Sequence, residues 1–215
     1  MALWRDGAAT GRPGADTRSH AERLPLEAMA FLSEHGCALA AIHRFVVVAG
    51  PGSFTGLRVG VAAVQGWAMA TGRMVAAVPT LDALVHSLGE TASEELIVSC
   101  LDGLRGEVFY GAWRGGHCVL PVTVGAPERA VADVSGVADV ARVVIAGDGA
   151  DRYASVWASA GWTPRAPRMT LAEAAARMAA ADDANAMLPH AVRPNYVRRS
   201  DAEVVRDRKS GIIRP

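Results

Sequence analysis

Apolar positions change period several times along the chain, and each change marks an element. Ala2, Leu3 and Trp4 read as the end of a strand that turns at Asp6-Gly7, and the Gly-, Pro- and polar-rich residues 8–19 follow as a loop. From Ala21 to His35 the recurrence of Leu24, Ala28, Met29 and Leu32 is that of an amphipathic helix, with Pro25 tolerated in its first turn and Gly36 as its stop. Phe45-Val46-Val47-Val48-Ala49 has no polar interruption, which predicts a strand covered on both faces of a parallel or mixed sheet. Leu57–Thr71 predicts a helix that is apolar nearly all round, with Arg58 and Gln65 as its only strongly polar members, so it needs cover on more than one side. Gly56 and Gly60, and likewise Ala62, Gly66 and Ala70, fall at i, i+4 spacing and form ridges that admit another helix closely.

Arg73–Val78 predicts a short strand, and Thr80 the N-cap of a helix with Leu81, Leu84, Val85 and Leu88 on one face. Residues 96–101, 107–113 and 118–124 predict a meander of three strands, joined by residues 102–106 and by Gly115-Gly116. Residues 141–146 form a further strand, and 153–160 and 170–181 two helices, the second capped by Thr170. The expected architecture is α/β in two lobes, 1–92 and 93–215, with mixed sheets flanked by helices.

Composition narrows the possibilities. The 215 residues suffice for one generous core or two small lobes. Net charge is zero, which argues against autonomous nucleic-acid binding, since that relies on a basic field. The balance is uneven: residues 190–215 carry seven basic and three acidic residues, so a direct contact with RNA would be confined to this tail, through Arg193, Arg198 and Arg199. An ordinary solvated terminus is the favoured reading of the same charges. Cys37, Cys100 and Cys118 are odd in number and widely spaced, which fits neither a disulfide framework nor a thiolate zinc site. No long uncharged apolar run or signal-like leader is found, so a cytoplasmic location without membrane attachment is expected.

The loop Gly50-Pro51-Gly52-Ser53-Phe54-Thr55-Gly56 carries the strongest chemical signal. A glycine-rich turn at a helix start could hold an anion on its free N–H groups. It lacks the Lys-Ser/Thr of a P-loop and does not fit G-x-G-x-x-G, so a structural strand-to-helix elbow capped by Ser53 or Thr55 is favoured.

That loop continues as Leu57-Arg58-Val59-Gly60, then Gln65-Gly66 and Val78-Pro79-Thr80-Leu81, and in this order it resembles the TsaB (YeaZ) family of bacterial proteins. His20-Ala21-Glu22-Arg23-Leu24-Pro25, Asp102-Gly103-Leu104-Arg105-Gly106-Glu107-Val108-Phe109-Tyr110 and Pro194-Asn195-Tyr196-Val197-Arg198 are similar to further segments of that family. The resemblance implies an actin/Hsp70/sugar-kinase type fold and the role of a non-catalytic subunit. Such a subunit supports TsaD, with TsaE, in threonylcarbamoyl transfer to the adenosine 3′ of the anticodon in tRNAs reading codons that start with A. It also implies a partner face on the two helices at 21–35 and 57–71, formed by Leu24, Ala28, Met29, Leu32, Gly56, Val59, Gly60, Ala63 and Trp67, which could equally serve a homodimer. Contact with tRNA is then indirect, through the complex.

An M22-like metallopeptidase or a sugar-kinase-like phosphotransferase is the alternative. TsaD holds its metal with a His-x-x-x-His after the strand corresponding to residues 73–78, and Thr80 and Leu84 stand at those positions here. The six His include no i, i+4 pair, and no G-x-S-x-G elbow occurs, so no metal, cofactor or catalytic residue is assigned. Asp102, Arg105 and Glu107 read as a charged hairpin turn in preference to an active-site cluster. TsaB-type chains open with a strand ending in Asp-Thr, ahead of the strand that resembles Ala2-Leu3-Trp4. The resemblance therefore implies one more strand before Met1, from a start roughly 15 residues earlier, without which residues 45–49 keep unpaired backbone groups.

Overall fold

The computed structural model describes residues 1–13, 20–137, 142–182 and 185–198. β1 (Ala2–Arg5) turns directly into an antiparallel partner, β2 (Ala8–Gly11). A strand thus stands where the composition of residues 8–19 predicts loop. Asp6 and Gly7 both have positive φ, 54° and 80°, the two-residue type I′ turn whose twist suits a hairpin. The Asp-Gly pair was the legible sign; Ala8-Ala9-Thr10-Gly11 is too weakly patterned to show it.

α1 (His20–Glu34) ends in a Schellman motif, with the Cys37 N–H donating to the Leu32 carbonyl at 2.9 Å and the Gly36 N–H to that of Ser33 at 3.0 Å. Because the helix begins at His20, Pro25 falls in its second turn and not, as expected, in the first, removing one N–H from the ladder. A 3₁₀ turn at Leu39–Ala41 leads into β3 (Arg44–Val48), α2 (Phe54–Thr71), β4 (Met74–Val78) and α3 (Thr80–Ser87). β3 and β4 are parallel, from Arg44 opposite Met74 to Val48 opposite Val78. α2 starts three residues before the sequence suggests, because Ser53 Oγ accepts the Gly56 N–H at 3.3 Å and caps it there. Thr80 is not the cap of α3: Pro79 takes that position, and the buried Thr80 hydroxyl has no hydrogen-bond partner among the described residues.

The second sheet is built from β5 (Leu96–Leu104), β6 (Glu107–Arg114) and β7 (His117–Gly125), followed by α4 (Pro127–Ser135), β8 (Val143–Ala146), α5 (Asp148–Arg152), α6 (Ala154–Ser159) and β9 (Thr163–Pro164). Its order is β7-β6-β5-β8-β9, antiparallel through the meander and parallel across β5-β8-β9. Trp157 stacks on Trp162 in its core, ring centroids 5.3 Å apart, beside Tyr110, Val134 and Ile145. α4 was not foreseen in the sequence.

α7 (Leu171–Ala181) and β10 (Ala186–Met187) then return to the first layer. Thr170 caps α7 as expected, in a capping box with Glu173. β10 extends the sheet to β10-β4-β3, while α7 packs against β3, β4, β1, β2 and α3. Alternation along β3 sends Phe45 and Val47 to the side chains of α2, and Val46 and Val48 to those of α7. The strand is covered on both faces, as its unbroken apolar run requires.

Candidate functional site

The motif loop joins β3 to α2 and is held from three directions. The Ala49 N–H donates to the Val78 carbonyl at 2.9 Å, the Thr80 N–H to the Gly50 carbonyl at 2.9 Å, and the Asn195 N–H to the Ala49 carbonyl at 2.6 Å. Gly50 has φ 117°, and a Cβ placed on it would lie 2.5 Å from the Asn195 carbonyl oxygen. Only glycine suits both the backbone angle and this approach. With Ser53 spent on capping, Gly50, Pro51, Gly52, Thr55 and Gly56 complete a strand-to-helix elbow.

Residues 189–198 form a strap over this elbow. Gln65 Nε2 donates to the carbonyls of Pro189 and Val192 at 2.9 and 3.2 Å. Farther on, Arg58 Nε donates to the Tyr196 hydroxyl at 3.0 Å, with its guanidinium 3.9 Å from the Phe54 ring centroid. Arg198 finally reaches the second sheet, donating to the Gly103 carbonyl at 2.8 Å and to Glu107 at 2.9 Å. Two motifs separate in sequence, the glycine loop and Pro194–Arg198, are therefore one structural unit. Of the three arginines proposed to face RNA, Arg198 is turned onto the hairpin, Arg193 donates to the carbonyls of His190 and Val192, and Arg199 lies outside the described residues.

The carboxylates of the charged hairpin are paired with arginines from outside it. Asp102 faces Arg152 at 3.3 Å and accepts the Leu104 N–H, while its own N–H donates to Asp148 at 2.8 Å. Arg105 and Gly106, at φ 58° and 79°, form its two-residue type I′ turn, and Leu104, at φ 61°, lies next to the register shift that precedes it. Glu107 takes Arg198, so Asp102 and Glu107 serve different partners. Thr80 and Leu84 are both buried, Leu84 among Leu88, Ile97 and Val144.

The two helices expected to meet a partner pack against each other, and their faces divide differently from the sequence-derived set. Ala28 is buried; Leu24, Leu32, Gly56, Val59, Gly60, Ala63 and Trp67 are half-buried; Met29 is exposed. A Cβ on Gly60 would lie 3.9 Å from Val47, an ordinary contact, so this glycine faces β3 and not an outside helix. The exposed row of α2 is instead Ala62, Gly66, Met69 and Ala70, and on α1 Leu26 and Met29 are uncovered. The i, i+4 small-residue spacing at 62, 66 and 70 was the available signal. Among the described residues, no helix is long and apolar enough to cross a membrane.

This pairing of layers places the chain in a known class. Residues 12–141, more than half of it, match the family model described as TsaD, tRNA N6-adenosine threonylcarbamoyltransferase. A Pseudomonas aeruginosa structure named YeaZ superposes with a TM-score of 0.68 at 26% identity, covering 91% of this chain and 92% of that one. Another, from the same organism and described as an uncharacterized protein with similarity to peptidase YEAZ, gives 0.72 at 28% identity over 92% and 93%. Within that class the chain belongs to the TsaB (YeaZ) family, and its two-layered α/β architecture is the actin/Hsp70/sugar-kinase-like fold. The Escherichia coli tRNA threonylcarbamoyladenosine biosynthesis protein TsaB is 28% identical over 54% of this chain and 53% of its own length. The uncharacterized protein Rv3421c of Mycobacterium tuberculosis is 34% identical over 89% of this chain and 81% of its own length.

Proposed function

We propose that the chain is a non-catalytic, partner-binding subunit in the synthesis of threonylcarbamoyladenosine on tRNA, working in the cytoplasm with a TsaD-type transferase and a TsaE-type subunit. The observation that carries the reading is the exposed small-residue row Ala62, Gly66 and Ala70, flanked by Met69, on a helix whose Leu57, Val61, Val64 and Ala68 are buried in its lobe. Such a row lets a second helix approach closely, and the exposed Leu26 and Met29 of α1 extend the apolar surface. The same surface suits pairing with a second copy when the transferase is absent, an isologous contact. The Thr80 and Leu84 positions, buried and unable to bind a metal together, support a supporting role over a hydrolytic one. Depletion of the protein in its host, followed by nucleoside analysis of bulk tRNA, tests this: threonylcarbamoyladenosine falls if the reading is right and is unchanged if it is wrong.

A further inference from the structure

Arg58 heads the exposed row of α2. It stands four residues before Ala62, so 58, 62, 66 and 70 follow one another at single-turn steps on the face that meets solvent, away from the buried Leu57, Val61, Val64 and Ala68. The row is apolar apart from this one guanidinium, which is held in place. Its Nε donates to the Tyr196 hydroxyl at 3.0 Å and its Cζ lies 3.9 Å from the Phe54 ring centroid, on two rings that are themselves 38% and 43% exposed, Phe54 and Tyr196. The remaining donors, both Nη groups, have no partner among the described residues. An arginine ordered through Nε and a ring face, with its outer nitrogens free, is a fork set for a planar two-oxygen anion, because little rotamer freedom is left to lose when the anion arrives. The N-terminal end of this 18-residue helix adds its own positive potential at the same place.

We propose that Arg58 selects the partner of this row: it takes a carboxylate from a helix of another protein whose own small residue crosses α2 near Gly66. The rise of an α-helix sets that Asp or Glu roughly 12 Å, about two turns, from the crossing point. A second copy of this chain is the poorer match. α2 holds no Asp or Glu, and of the α1 carboxylates whose side chains are described, Glu27 is paired with Arg23 and Glu34 with Arg12. Two copies therefore bring Arg58 to a face without a free acid among the described residues. A partner with an acid at the stated spacing gains a charge-assisted bond that also fixes its register. RNA fits less well too, since phosphate contacts draw on several cations, and Arg193 and Arg198 of the strap are turned onto carbonyls and Glu107. The inference rests on the reading of α2 as the partner-facing helix and adds the partner chemistry it accepts.

The test uses the full chain and the TsaD-type transferase of the same host, each purified, with affinities measured by sedimentation at low and high salt. Arg58→Gln, which keeps a good helix former at an exposed position, is expected to weaken the complex with the transferase at least roughly tenfold and to remove most of its salt dependence, while self-association changes less than about twofold. Arg58→Glu is expected to abolish the complex, and replacing one acidic residue of the transferase by Lys to restore it; a scan in which no replacement restores it overturns the proposal. Unchanged transferase binding by Arg58→Gln overturns it, as does equal weakening of both associations. Loss of tRNA from the assembled complex with transferase binding intact assigns Arg58 to phosphate and overturns it too. Gly66→Arg separates this failure from that of the underlying reading. If it leaves the complex intact, α2 is not the interface and both fall; if it abolishes the complex while Arg58→Gln does not, only the carboxylate contact fails. Thermal unfolding of each variant checks that the proteins compared are folded.

Discussion

Arg58 and Tyr196 meet through a 3.0 Å hydrogen bond across 138 residues of sequence, the arginine Nε donating to the phenol oxygen. The same guanidinium lies over Phe54, whose ring is 5.2 Å from that of Tyr196. Arg58→Ala removes both interactions, and since the group is exposed the expected loss is about 1–2 kcal/mol. Tyr196→Phe keeps the rings and loses only the hydroxyl, for about 0.5–1 kcal/mol. Urea unfolding of the two variants, read against wild type, checks the order as well as the size.

Gly50→Ala is expected to cost about 2–4 kcal/mol, because a methyl group would meet the Asn195 carbonyl at 2.5 Å on a backbone of positive φ. Gly66→Ala is the opposite case, with nothing within 4 Å of the added Cβ and a helical backbone, and is expected to stabilise by about 0.5–1 kcal/mol. Thermal unfolding of both variants should move in opposite directions.

Glu95 sits nearly inaccessible between Arg165, which donates to both carboxylate oxygens at 2.9 and 2.7 Å, and Arg142 at 3.5 Å. The Arg165 bonds hold its carboxyl below the ordinary value of 4.5, against the opposing effect of burial. A depressed folded-state pKa gives stability that is complete above 4.5 and lost as pH falls through the lower folded value. Glu95→Gln should therefore cost about 2–3 kcal/mol at pH 7, and the gap from wild type should narrow in acid below about pH 4. Denaturant midpoints at pH 7 and pH 3 decide it.

Tyr110 donates to Asp133 at 2.5 Å, and burial first, then that carboxylate, pushes its phenol up to about 12. The folded form favours the neutral phenol, so its contribution is present below the ordinary value of 10 and is lost as pH rises through about 12. A spectrophotometric titration of native protein should show one tyrosine ionising near 12, and Tyr110→Phe should remove that step.

Gly66→Arg places a cation on the exposed row of α2, in open space, and should leave the unfolding temperature within a few degrees of wild type. Co-purification with the TsaD-type transferase proposed as its partner should be lost. Ala68→Arg, at a fully buried position of the same helix, should unfold the lobe instead, which separates a surface defect from a folding one. Retained co-purification of the folded Gly66→Arg protein would remove that surface from the interface.

Much of this was legible from local pattern. The Phe45–Ala49 run, the Thr170 cap and the Gly36 stop each rest on nearest-neighbour chemistry, which a sequence displays. Helix α2 was legible as a helix, but the side it shows to solvent was not, because an almost wholly apolar helix has no polar stripe to mark it. Gly60 and Gly66 are the same residue type six positions apart, yet one meets β3 and the other meets nothing. The strap was hidden for a related reason: its ties run from Gln65 to Val192 and from Gly103 to Arg198, and no local spacing encodes partners that distant.

The position of α7 in the chain governs when the first layer can form. β1 through β4 leave the ribosome within the first 78 residues, but the helix that covers their second face ends at Ala181. Until then Val46, Val48 and Val78 have no alanine surface to rest on, and the layer emerging first must wait to close last. The amino-terminal half is accordingly a unit of high contact order, whose completion is post-translational in character even on a growing chain. A truncation between Pro164 and Leu171 would release a protein whose second sheet is complete and whose helices α1 and α2 rest on a half-covered one.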